Sequence, residues 1–216
     1  MGVETFTIEQ VATVLRQMAE DLEGASEDLR DLDAALGDGD LGITVTLGFR
    51  RVREVLPALM DGDIGTLVAK SGMSFNQAAA STMGALFATM MMRAGKVVQG
   101  KREISADDVV AMARAAEEGL RERGKVQPGD KTMLDAIVPA VQAMTEAHGE
   151  GSGVAEMLLQ AAEGAQAGAI ATREMQAKVG RASWLGERTV GPQDPGATAI
   201  TLMLRSVSRS LAAERA

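Results

Sequence analysis

The chain has 216 residues, 46% hydrophobic and 24% charged, with a formal net charge of −8. That acidic balance argues against nucleic acid or an anionic membrane surface as partner. There is no Cys and a single His, His148, which excludes disulfides, thiolate metal sites, Cys nucleophiles and multi-His metal centres.

Aromatic residues make up 2% of the chain, with no Tyr and one Trp, whereas Met occurs 14 times. Packing volume must come from Leu, Ile, Val and Met, which favours packed helices over a sandwich or β-barrel. In chain order, Thr7-Ile8-Glu9-Gln10 reads as a capping box ahead of Val11, Val14, Leu15, Met18 and Leu22 at helical spacing. A second helix is expected through Leu29, Leu32 and Leu36, stopping at Gly37. Further helices are expected over Ile43 to Met60, Ile64 to Met73 and Ala78 to Ala94, the last apolar on most faces. Ser105-Ala106-Asp107-Asp108 is another start signal, leading into Val109, Met112, Ala116 and Leu120. Pro128-Gly129-Asp130 opens a helix carrying Met133, Leu134, Ile137, Val141 and Met144. A turn at Gly149 to Gly153 introduces a long helix to about Val179, a loop covers Gly180 to Gly196, and a last helix covers Ala197 to Ala213.

These elements predict about eight helices and no period-2 alternation. The expected fold is all-α, a single domain over residues 1–216 built as an antiparallel eight-helix bundle or barrel. No apolar run approaches membrane-spanning length and no signal peptide precedes the first helix, so a cytoplasmic location is expected. In up-and-down helices alternate connections fall at the same end. The non-helical stretches Gly37–Gly42, Gly124–Asp130 and Gly180–Gly196 are therefore expected to meet.

The segment richest in chemistry is Leu32-Asp33-Ala34-Ala35-Leu36-Gly37-Asp38-Gly39-Asp40-Leu41-Gly42. On a continuous helix Asp33 and Asp38 would stand about 140° apart. Gly37 and Gly39 let the chain turn and gather Asp33, Asp38 and Asp40, whose mutual repulsion a cation would relieve. All-oxygen ligands select a hard ion, Mg²⁺ ahead of Ca²⁺ where phosphates share the coordination. A solvated acidic turn with helix-capping Asp residues is the alternative. The literal Gly37-x-Gly39-x-x-Gly42 is no dinucleotide fingerprint, since a helix precedes it and Asp fills the turn. No Glu closes an EF-hand loop. Gly124 to Thr132 imitates a P-loop with one residue too many and again follows a helix. Its Pro128–Thr132 helix start still offers backbone N–H groups to an anion, or merely caps the helix. The long segment from Gly180 to Thr198 carries Arg181 and Arg188, cationic forks that suit phosphate; a structural lid is the alternative there.

Together the strings Leu32–Gly42 (LDAALGDGDLG), Gly129–Asp135 (GDKTMLD), Gly180–Gly186 (GRASWLG) and Gln193–Thr198 (QDPGAT) resemble the L subunit of dihydroxyacetone kinase and the related domain of single-chain dihydroxyacetone kinases, the DhaL/Dak2-domain family. The resemblance implies an eight-helix barrel with Mg²⁺-nucleotide at one end. Asp33, Asp38 and Asp40 match the family's magnesium ligands, two Mg²⁺ being expected, and Arg181 adds charge from the loop. Leu41, Gly42, Ile43, Thr44, Thr82, Met83, Gly124, Met133, Arg181, Asp194, Pro195 and Gly196 match its contacts to ADP or ATP. It further implies a K-type partner subunit holding a small ketose such as dihydroxyacetone or erythrulose, and in some relatives a phosphocarrier M-type protein that rephosphorylates retained ADP. Leu41 stands where His is common, and Met83 where a small hydroxyl residue is usual. A non-catalytic nucleotide-binding regulatory module is the competing expectation.

Overall fold

A computed structural model describes residues 4–213. Among these, nine α-helices occur: α1 (Ile8–Gly24), α2 (Ser26–Leu36), α3 (Leu41–Val55), α4 (Ile64–Ala78), α5 (Thr82–Val97), α6 (Ala106–Gly124), α7 (Leu134–Gly149), α8 (Val154–Ala171) and α9 (Pro195–Ala213). Helices α1, α3, α4, α5, α6, α7, α8 and α9 pack each against the next, and α9 packs back onto α1. That circuit closes an eight-helix barrel, with α2 as an additional helix against α3 and α9.

Local sequence explains the starts of these helices. Thr7 accepts from the Gln10 N–H while the Gln10 side chain accepts from the Thr7 N–H, a complete capping box. Ser105 and Asp108 form a second one at α6. Both caps end short strands, β1 (Thr5–Thr7) and β2 (Glu103–Ser105), which pair antiparallel with Phe6 opposite Ile104. No period-2 signal marks them because three residues are too few to display one.

Helices α4 and α5 touch through Gly65 and Gly95, where a Cβ on either residue would strike the other's carbonyl oxygen. Three of the four Phe form one cluster in the core: Phe49 and Phe75 lie 4.9 Å apart between ring centroids, Phe75 and Phe87 4.8 Å. The Phe49–Phe75 pair is edge-on, at an interplanar angle of 76°, and aromatic pairs of that kind add about 0.5–1.5 kcal/mol beyond simple burial. The inner wall is otherwise aliphatic and Met-rich, with Val14, Met18, Met90, Met144 and Met203 facing one another across the barrel.

Several boundaries differ from expectation. The apolar stretch after Ala78 is broken at residues 79–81, and Ser81 caps α5 by accepting from the Gly84 N–H. Helix α7 begins at Leu134, after a turn over residues 128–133 rather than at Pro128. Helix α8 ends at Ala171, continued by a 3₁₀ turn over Thr172–Glu174. The Thr172 hydroxyl donates to the Ala169 carbonyl at 2.5 Å and accepts from the Asp194 N–H at 2.9 Å, so tertiary bonding ends the helix before its sequence does. Arg181–Thr189 is wound into 3₁₀ turns interrupted at Gly186. Among the described residues no helix is long and apolar enough to cross a membrane.

Candidate functional site

The connections α2–α3, α4–α5, α6–α7 and α8–α9 line one cleft of roughly 530 Å³, within the range of small-molecule sites. Along its acidic edge, α2 stops at Leu36 and the chain turns through Gly39, whose φ of 72° favours glycine. The turn brings carboxylate oxygens of Asp33, Asp38 and Asp40 within 4.8 Å of one another. Asp33 is the anchored member, its Oδ2 accepting from the Leu41 N–H at 3.1 Å. Asp38 and Asp40 are exposed. A hard divalent cation fits this donor set: three carboxylates, all oxygen, gathered on one side of a turn.

Val179 to Ala182 add to the lining beside the acidic turn. The Arg181 guanidinium meets the Asp38 carboxylate, and its Nη2 lies 3.7 Å from Asp40 Oδ2. Three residues on, Trp184 is 84% exposed, so this segment presents an indole to solvent, although Trp184 does not itself line the cleft. Arg188 does not line the cleft.

Other expected residues fall into two groups. Leu41, Thr82, Met83, Gly124, Met133, Asp194, Pro195 and Gly196 all line the cleft. Gly196 lets α9 approach the α6–α7 connection, since a Cβ there would sit 2.7 Å from Met133 Cγ. Gly42, Ile43 and Thr44 do not line it with side chains: Gly42 packs on Ser26 and Arg30, Ile43 is 62% exposed and Thr44 is buried. The Gly42 and Ile43 N–H groups nevertheless precede the first bond of α3, Thr44 N–H to the Asp40 carbonyl, and so belong to the unpaired first turn that suits an anion.

Lys131 was missed. It lines the cleft, is 3% exposed and donates to two backbone carbonyls. In the sequence it appeared only within the P-loop lookalike and the GDKTMLD string, with no role of its own.

Asp194 caps α9, its Oδ2 accepting from the Ala197 N–H at 2.7 Å. Burial pushes its carboxyl up to about 7, and the like charges of Asp135 and Asp33 push the same way. The Ala197 N–H and Lys131 oppose them. A carboxyl raised from 3.8 to about 7 on folding stabilises the fold below the lower value and loses that contribution as pH climbs through the upper one. Urea denaturation in chelator is expected to show wild type losing stability relative to Asp194→Asn as pH rises from about 4 to about 8. Asn preserves the cap. A pH-independent gap between the two proteins would mean Asp194 is ionised throughout.

The domain is an all-α barrel with an acidic turn and an Arg-bearing segment meeting at one end. The comparisons make the family specific. Residues 35–209 match the DAK2 domain family model, and the chain belongs to that family, as the four sequence strings implied. It is 36% identical to the PEP-dependent dihydroxyacetone kinase ADP-binding subunit DhaL of Escherichia coli, over 92% of this chain and 95% of that protein. Among solved structures it resembles the dihydroxyacetone kinase of C. freundii in its native form, with a TM-score of 0.73 and 26% identity over 93% of this chain and 34% of that one. The same enzyme in complex with AMP-PNP and Mg²⁺ matches in fold with a TM-score of 0.69, at 24% identity over 97% of this chain and 35% of that one.

Proposed function

We propose that this chain is the nucleotide-binding subunit of a dihydroxyacetone-kinase-type phosphotransferase, carrying ADP or ATP and passing phosphate to a small ketose held by a separate K-type subunit. The observation that carries this reading is the cluster Asp33, Asp38 and Asp40 at the edge of the cleft, facing Arg181. Phosphoryl transfer depends on positioning and on neutralising phosphate charge, and these residues offer both.

Asp33, Asp38 and Asp40 would hold two Mg²⁺. Bound there, the ions would supply charge neutralisation along the phosphate oxygens. The first-turn amides of Gly42 and Ile43 would donate to phosphate, and Arg181 would add a cation from the facing loop. The uncharged walls, Met133, Gly124 and the Thr82–Met83 turn, would seat the rest of the nucleotide. The ketose would arrive on the partner subunit. The E. coli relative's name, an ADP-binding subunit of a PEP-dependent enzyme, supports a nucleotide that stays bound and is rephosphorylated by an M-type phosphocarrier.

Mixing the ATP-loaded chain with a K-type subunit and dihydroxyacetone tests this. The expected result is about one equivalent of ketose phosphate per chain, with further turnover only when a phosphocarrier donor is supplied. Sustained turnover on ATP alone would keep the kinase reading but make ATP an exchanging substrate. Tight nucleotide binding with no ketose phosphate under either regime would overturn the reading in favour of a regulatory module.

A further inference from the structure

Lys131 combines two features that rarely coincide. It is 3% exposed, and its backbone lies in the left-handed region at φ 62°, where a residue with a Cβ is strained and Gly is not. Nothing about the turn itself calls for a lysine.

The side chain explains its presence. The ammonium donates to the Thr172 carbonyl and to the Pro192 carbonyl, each at 2.6 Å. These carbonyls belong to two different segments, the turn closing α8 and the approach to α9. The Thr172 hydroxyl in turn accepts from the Asp194 N–H, and Asp194 caps α9. One buried cation thus ties together the α6–α7 connection, the end of α8 and the start of α9. Those segments carry Met133 and the Asp194–Pro195–Gly196 turn, which both line the cleft and pack directly against each other at Gly196 and Met133. The acidic groups around this knot are Asp194, Asp135 and Asp33, so a charged tie also offsets their repulsion.

We infer that Lys131 is a positioning residue for the nucleotide: its ammonium sets the spacing between the Met133 loop and the Asp194–Gly196 turn, and so sets affinity from outside the metal cluster. This rests on the nucleotide-binding reading above.

Calorimetry with ADP in saturating Mg²⁺ on Lys131→Gly, Lys131→Met and Lys131→Arg is the test. Gly suits the left-handed backbone but removes the whole side chain, whereas Met keeps most of the apolar stem and removes the ammonium, so K131G and K131M are both expected to keep their helical circular dichroism. The loss of charge-assisted bonds should weaken ADP binding about tenfold or more in K131G and K131M. Arg, which can donate to both carbonyls, should recover most of that affinity. A purely structural role would lower the melting temperature and leave the ADP affinity of folded protein untouched. K131G binding ADP within about twofold of wild type would therefore overturn the inference. So would K131G failing to fold, since Lys131 would then be holding the barrel rather than the site. Wild-type protein failing to bind ADP–Mg²⁺ would instead reject the nucleotide reading itself.

Discussion

Replacing Asp38 or Asp40 by Ala is expected to remove Mg²⁺-nucleotide binding while leaving the helical fold intact. Both side chains are exposed, and among the described residues their recorded side-chain partner is Arg181, so neither holds the barrel together. Exposed ion pairs of this kind contribute little to stability. Their proposed work lies in gathering negative charge for a cation. Removing one charge-stabilising group at such a site typically costs about 10²–10³ in rate, or roughly 3–4 kcal/mol. Asp33→Ala should differ in kind, because Asp33 also accepts from the Leu41 N–H, and it should lose stability as well as affinity. Titration calorimetry with ADP–Mg²⁺ alongside thermal melts separates the two effects. Wild-type affinity in both Asp38→Ala and Asp40→Ala would make the acidic turn a solvated cap and nothing more.

The second large effect is metal dependence. ADP with Mg²⁺ should raise the melting temperature, whereas ADP with chelator should leave it near that of the free protein. Ligand at about one hundred times Kd adds about 2.7 kcal/mol, which for a chain of this size corresponds to roughly 5–10 °C. Without the cation, nucleotide phosphates would face three carboxylates within 4.8 Å of one another, with Arg181 offering a single compensating charge. Trp184, the chain's one Trp, gives an independent signal. At 84% exposure its emission should start at long wavelength, and closure of its loop over bound nucleotide should shift it to the blue and raise its anisotropy. Equal thermal stabilisation by ADP with and without Mg²⁺ would rule out a bridging metal.

The parts of the structure legible in the sequence are those governed by short-range physics. The capping boxes at Thr7 and Ser105, the helical spacing of the apolar residues and the glycines of the acidic turn all act within a few residues. The turn's geometry could be reasoned out because a helix would have splayed Asp33 from Asp38. What could not be read depended on contacts across the barrel. The stretch after Ala171 has good helix formers, yet the Thr172 hydroxyl accepts from the Asp194 N–H and its carbonyl from the Lys131 ammonium, partners 22 and 41 residues away. Lys131 was legible only as a letter in two short strings, with no role of its own, since its partners lie 41 and 61 residues away. The β1–β2 pair likewise joins residues about a hundred positions apart.

The barrel's seam has a consequence for how the chain comes to be made. The circuit closes where α9 meets α1, a junction marked by Asp21, which accepts from Ser206 at 2.6 Å and Arg209 at 3.0 Å. The same helix begins with the Asp194–Pro195–Gly196 wall of the cleft. On a ribosome, where the chain emerges from its N-terminal end, the first helix must wait for the ninth, and contacts between distant parts of a chain form slowly. Until α9 arrives, α1 and α8 each present an apolar flank without its neighbour, the period in which chaperone capture or aggregation competes with folding. The cleft is completed by that late-arriving helix too, so a nascent chain cannot acquire nucleotide early and hold it on a half-built barrel.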